Sequence, residues 1–195
     1  MSADDVTKAR IAEKLKTERV RLNLQSAAYF LASYEVLKQV VITAPNTMFS
    51  LEIDDEGKMV GPTYVRGKLR PTKDYRKHVS VLHKKDSLHA ACLWLLQMEA
   101  ITQTEVDAIL ALREYRNEIA HELPYFIIDI DRAFKFERFA RLVELVAKIS
   151  RWAARVDMSF HEEYDGEDIQ DDEIFPGTLA IVQLMARALL EQMEE

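Results

Sequence analysis

Thr102-Gln103-Thr104-Glu105-Val106-Asp107-Ala108-Ile109-Leu110, running on through Leu112-Arg113-Glu114-Tyr115-Arg116-Asn117-Glu118-Ile119-Ala120-His121-Glu122 to Leu123-Pro124, is the best-signalled helix in the 195-residue chain. Thr102 and Glu105 fit a capping box, in which the hydroxyl and the carboxylate each satisfy an otherwise free amide of the first turn. Val106, Ile109, Leu110 and Ile119 recur at helical spacing, and Leu123-Pro124 is expected to stop the helix.

Similar patterns extend in both directions. Residues 4 to 43 read as helix in two parts, capped by Asp4 or Asp5, with Ile11, Leu15, Leu22, Leu24, Ala28, Leu31, Leu37 and Val41 recurring near every 3.6 residues. Ala44-Pro45-Asn46 ends that run. Lys73 to Met98 is helical with a break at Lys84-Lys85, where Asp86 or Ser87 caps the apolar piece holding Leu88, Cys92, Leu95 and Leu96. Residues 131 to 157 form an amphipathic helix with Phe134, Phe139, Leu142, Val146, Ile149 and Ala153 on one side. Pro176 opens a last helix through Leu179, Val182, Met185, Ala186 and Leu189. Between the first two helical regions, Phe49 to Ile53 and Lys58 to Val60 read as a small β-hairpin turning at Gly57, with Gly61-Pro62 stopping its second strand.

The expected fold is therefore all-α, an up-and-down helical bundle with a small β-hairpin insertion and an extra C-terminal helix. Residues 1–161 are expected to form the bundle, with the insertion at about 44–72, followed by an acidic linker at 162–175 and a helix at 176–195 that packs on the bundle. Composition agrees, with 48% hydrophobic and 30% charged residues but only 5 Gly and 5 Pro. Cys92, the one cysteine, excludes an intramolecular disulfide and a multi-cysteine zinc cluster; within Ala-Ala-Cys-Leu-Trp it reads as a buried thiol. No apolar run reaches the ~20 residues of a membrane span, and Met1-Ser-Ala-Asp-Asp5 is not a signal peptide, so a cytoplasmic location and no membrane partner are expected.

The net charge of −7 is unevenly spread. Residues 162 to 173 alone carry −8 with no Lys or Arg, leaving +1 for the remainder. Residues 66 to 85 carry a local +7, from Arg66, Lys68, Arg70, Lys73, Arg76, Lys77, Lys84 and Lys85 against Asp74. With Tyr64 and Tyr75 interleaved, Arg66, Lys68, Arg70, Lys73, Arg76 and Lys77 form a candidate RNA-binding surface through charge pairing and stacking. A solvated face is the plainer explanation of such a run, and a solvated tether that of the acidic one.

The stretch Arg116-Asn117-Glu118-Ile119-Ala120-His121 resembles the defining motif of the HEPN superfamily, an Arg, four to six residues and a His at the end of a helix. Ser33-Tyr-Glu35-Val-Leu-Lys38 and the run from Leu93-Trp-Leu-Leu into the motif helix extend the resemblance over roughly residues 24 to 155. The bare pattern also occurs at Arg76 to His83 and Arg155 to His161. Asn after the Arg, the capped helix ahead and the Pro just beyond favour the middle copy. Arg116 and His121 lie about 140° apart around a helix, whereas Asn117 and His121 share a face.

The resemblance implies a metal-independent endoribonuclease of the toxin or phage-defence kind, with Arg116, His121 and Asn117 catalytic and Glu35 and Glu118 supporting. RNA, tRNA included, is the expected substrate. It implies further a homodimer whose cleft joins two motifs, and an antitoxin or regulatory protein as partner. No metal or cofactor is expected, because the ribose 2′-hydroxyl is the nucleophile. A histidine can take its proton or protonate the departing 5′-oxygen, and an arginine can stabilise the charge at phosphorus. The alternative is a HEPN-like module that binds RNA or protein without cutting; the plainest reading makes Arg116 and His121 ordinary helix-end polar residues. Two metal readings rank lower: a di-iron site from Glu118-x-x-His121 with Asp86-x-x-His89, and a zinc site from His78, His83 and His89.

Overall fold

The computed structural model describes residues 3–14, 17–49, 51–53, 58–60, 63–65, 69–128, 134–164 and 169–194. Its helices are α1 (Ala3–Lys14), α2 (Thr17–Thr43), α3 (Lys73–Tyr75), α4 (Ser87–Gln97), α5 (Gln103–Ile128), α6 (Phe136–Met158) and α7 (Gly177–Glu194). They make an all-α bundle in which α2 is central, packing on α4, α5, α6 and α7. The apolar positions explain this order. Phe30, Leu37 and Val41 of α2, Leu95 of α4, Ile109 and Ile119 of α5, Leu142 and Ile149 of α6 and Leu179 and Val182 of α7 are all shielded from water. Each such side chain contributes about 1.5–3 kcal/mol on leaving water.

Around α5 the core is aromatic. The Phe30 ring meets Tyr115 edge-on with centroids 4.9 Å apart, and Phe134 packs beside both. Tyr115 is completely buried, and its hydroxyl accepts from the Lys135 amide (2.9 Å) just ahead of α6. A buried hydroxyl needs such a partner, and this one ties α5 to the start of α6.

The helix ends agree with the sequence signals closely in two places. Thr102 N donates to Glu105 Oε2 (2.8 Å) while Glu105 N donates to Thr102 Oγ1 (3.3 Å), the reciprocal capping box. Asp86 caps α4 by accepting from the His89 amide (3.1 Å). At the other end of α4, Glu99 takes a positive φ of 57°, with Glu99 N bonded to Leu96 O (3.1 Å) and Ala100 N to Leu95 O (3.0 Å). This is the Schellman ending, with a glutamate where glycine is usual.

The stop expected at Leu123-Pro124 meets a break in the helix, with further helix beyond it. The regular helix that starts at Gln103 ends at Glu122, which takes a non-helical conformation (φ −116°, ψ 20°), and a second helical stretch, counted here within α5, runs from that break to Ile128. Pro124 has no N–H for the Ala120 carbonyl and its ring crowds that carbonyl, so the regular hydrogen-bond ladder breaks there.

The segment expected to form one hairpin pairs differently. Leu51–Ile53 (β1) pairs antiparallel with Leu69–Pro71 (β4), and Lys58–Val60 (β2) with Thr63–Val65 (β3). The two stretches expected to pair with each other thus have other partners, and the second of them is succeeded by a return strand. Gly57 and Gly61-Pro62 lie outside the described residues. Alternating apolar residues mark strands but not their partners, so the pattern alone does not distinguish these pairings.

The acidic segment is partly held against the bundle. Arg155 on α6 pairs with Asp171 and donates to the Ile169 carbonyl (3.2 Å), Arg151 donates to the Ile174 carbonyl (3.3 Å), and Ile174 is buried. Asp165, Glu167 and Asp168 lie outside the described residues. Beyond it, α7 is anchored by polar contacts as well: Ser33 Oγ lies 3.3 Å from Met185 Sδ, and the Ser150 and Thr178 hydroxyls are 3.1 Å apart. Among the described residues no helix is long and apolar enough to cross a membrane.

Candidate functional site

Leu112, Tyr115 and Ile119 turn one face of α5 into the core. That choice sets the direction of its polar residues, because side chains at successive positions are about 100° apart. Arg116, next to the buried Tyr115, faces α2. Its Nη2 donates to Glu35 Oε1 (3.0 Å), and its Nη1 approaches Asn117 Oδ1 (3.4 Å). Its Nε is buried without a hydrogen-bond partner. Glu35 is also held by Lys38, one turn along α2 (3.2 Å). The structure therefore brings together three of the candidate residues, Arg116, Asn117 and Glu35.

His121 stands apart from them. It is exposed on the turn before the Glu122 kink, and no hydrogen bond joins it to Arg116 within one chain. It closes the regular helix just before the break at Glu122, as a stop at Leu123-Pro124 would place it. Glu118 is half-buried on the intervening turn.

Two residues beside the site lie outside the set that the sequence singles out. Arg113, one turn before Arg116, forms an ion pair with Asp86, and both side chains are largely shielded. Burial pushes the Asp86 carboxyl up, but the hydrogen bonds from Arg113 and the His89 amide, with the Arg113 charge, hold it below the ordinary aspartate value. Tyr34, the neighbour of Glu35, is buried, and burial pushes its hydroxyl up to about 12 against the opposing pull of Arg113 and Arg116. The spacing Arg113-x-x-Arg116 puts both guanidinium groups along one side of α5, a signal visible in the sequence. The inward direction of Tyr34 depends on which face of α2 meets α5.

The other matches to the Arg-to-His pattern have different surroundings. Arg155 is occupied by the acidic segment, and His161 lies 4.0 Å from Asp157. Arg76 is exposed in a π-helical turn, Arg76–Ser80, that continues α3. In the candidate RNA-binding run, Lys73, Arg76 and Lys77 are exposed around that turn and Arg70 lies in β4, while Arg66 and Lys68 lie outside the described residues.

Neither metal reading finds a ligand set. Among the described residues no three His, Cys, Asp or Glu side chains come together to hold an ion. His78 stacks on Phe49 (5.1 Å) with its Nδ1 2.9 Å from the Asp74 carbonyl, and His83 stacks on His89 (4.7 Å). Cys92 is fully buried, and burial pushes its thiol up to about 12, so it is unreactive at neutral pH.

Comparison with family models, with curated proteins and with solved structures finds no match to this chain.

Proposed function

We propose that the chain is a HEPN-like, metal-independent endoribonuclease of the toxin or phage-defence kind, acting as a homodimer in which Arg116, Asn117 and His121 serve the reaction. The observation that carries this reading is the state of Arg116. Its guanidinium is oriented by Glu35 and Asn117 while Nε remains buried and unpartnered. The side chain is 34% exposed, so a phosphate can approach the guanidinium, and a pre-oriented guanidinium stabilises charge as it develops at phosphorus.

His121, exposed and unencumbered, serves as the proton carrier: it accepts the 2′-hydroxyl proton, or donates one to the leaving 5′-oxygen. The 2′-oxygen forms a new bond to phosphorus as the bond to the 5′-oxygen breaks, leaving a 2′,3′-cyclic phosphate and a 5′-hydroxyl. No hydrogen bond or ion pair joins Arg116 to His121 within one chain, and in this reading a composite cleft takes the arginine of one protomer and the histidine of its partner. An isologous two-fold interface brings two such pairs together. The basic run around Lys73, Arg76 and Lys77 carries the RNA backbone towards the cleft, and an antitoxin or regulatory protein controls access to it.

The second reading is a non-catalytic RNA- or protein-binding module. The Arg116–Glu35 pair favours it, because that contact alone gives Arg116 a role tying α5 to α2. Incubation with tRNA and total RNA separates the two. Cleavage by wild type that is lost in Arg116→Ala and in His121→Ala supports the enzyme; RNA binding without cleavage supports the module.

A further inference from the structure

A pocket of about 250 Å3 opens beside the first turn of α4, away from the Arg116–Glu35 contact. Ser80, His83, Lys84, Lys85 and Ser87 form its polar rim, over an apolar floor that includes Val79 and Ala90. We infer that this pocket binds a phosphate group, carried by a nucleotide or by the backbone of a polynucleotide.

Three observations carry the inference. The first is charge: Lys84 and Lys85 project from adjacent positions, both exposed, and neither forms an ion pair among the described residues. No carboxylate lines the pocket, and the acid next in sequence, Asp86, is committed to Arg113 and the His89 amide. Two ammonium groups facing one concavity repel each other unless an anion lies between them.

The second is the supply of hydrogen-bond donors. Ser80 and Ser87 offer hydroxyls, and Ser87 opens the α4 helix, whose first amides point out of its start. His83 lines the same pocket, and its Nδ1 is buried with no hydrogen-bond partner.

The third is rigidity. The loop between the π-helical turn and α4 is pinned by Leu82 N to Val79 O (3.0 Å), Asp86 N to His83 O (3.4 Å), the His83–His89 stack (4.7 Å) and the Asp86–Arg113 bridge. A site held in place before binding loses less entropy on taking its ligand.

The volume suits a phosphate with part of its attached sugar rather than a larger cofactor. The proposal stands without the ribonuclease reading, since none of these residues belongs to the Arg116 and His121 site.

The test measures binding of inorganic phosphate, AMP and a uridine oligonucleotide to four proteins at one low salt concentration. They are wild type, Lys84→Ala/Lys85→Ala, Ser87→Asp, and a charge-matched control, Arg21→Ala/Arg187→Ala, altered at exposed residues outside the pocket. Loss of two charge-assisted contacts is expected to weaken at least one probe by about tenfold or more in the lysine double variant, with the control near wild type. Ser87→Asp is expected to abolish the same binding while keeping the fold, because an aspartate suits the first turn of a helix yet places a negative charge in the pocket. Selective loss of phosphate or AMP identifies a nucleotide as the source; selective loss of the oligonucleotide identifies a polynucleotide backbone. If no probe distinguishes the pocket variants from the control, the proposal is overturned.

Discussion

Arg116 on α5 and Glu35 on α2, 81 residues apart in the chain, meet at 3.0 Å. Their side chains are 34% and 48% exposed, so solvent screening limits what the pair adds to stability. Glu35→Gln is expected to cost less than about 1 kcal/mol in urea unfolding. Under the proposed function it lowers RNA cleavage less than Arg116→Ala does, because it loosens the guanidinium without removing it. Unfolding curves and cleavage rates on the same preparations check both parts.

Glu99 holds a left-handed conformation that strains any side chain with a Cβ. Glu99→Gly is therefore expected to stabilise the protein by about 0.5–1 kcal/mol, the relief of strain exceeding the extra entropy of the unfolded chain. Its side chain is exposed, so no packing is lost. A rise in the urea midpoint with unchanged slope is the expected result.

Acid should weaken the fold through Glu105. Burial pushes its carboxyl up, but hydrogen bonds from Lys148 and the Thr102 amide, with the Lys148 charge, outweigh burial and hold it below the ordinary glutamate value. A carboxyl lowered in the folded state adds stability above its unfolded value, lost as pH falls through the folded one. Asp86 acts in the same sense. Stability is thus expected to be flat near neutrality and to fall below about pH 4–5, near the unfolded carboxyl values. Glu105→Gln should cost about 1–2 kcal/mol at pH 7 and show a shallower decline in acid.

Pro124 bends α5 just after His121. Pro124→Ala restores a donor for the Ala120 carbonyl and removes the ring's clash, so helicity and stability are expected to hold or rise. Under the proposed function the straightened helix moves His121 away from its working position and RNA cleavage falls. Circular dichroism and a cleavage assay on one sample separate these effects.

The local parts of this fold are legible in the sequence because their signals are short. The Thr102–Glu105 box, the Asp86 cap and the buried faces of α6 and α7 each depend on residues within a few turns of one another. Pro124 is ambiguous on its own, because a proline allows either a stop or a kink with helix resuming beyond it. The strands of the insertion are ambiguous for a related reason: Leu51–Ile53 finds its partner at Leu69–Pro71, beyond an intervening pair of strands. At the candidate site, Glu35 is marked by resemblance and meets Arg116. The neighbouring Tyr34 and the Arg113–Asp86 bridge become visible only with helix packing, which periodicity does not specify.

The most direct measurement is the chemistry of the RNA ends produced by the purified protein in EDTA, compared with Arg116→Ala and His121→Ala of verified fold. The proposed mechanism predicts 2′,3′-cyclic phosphate and 5′-hydroxyl ends from the wild type and neither from the single variants. A composite cleft also predicts partial recovery when the two variants are mixed as heterodimers. Cleavage that needs a divalent ion, or that proceeds equally in all three proteins, would contradict the mechanism.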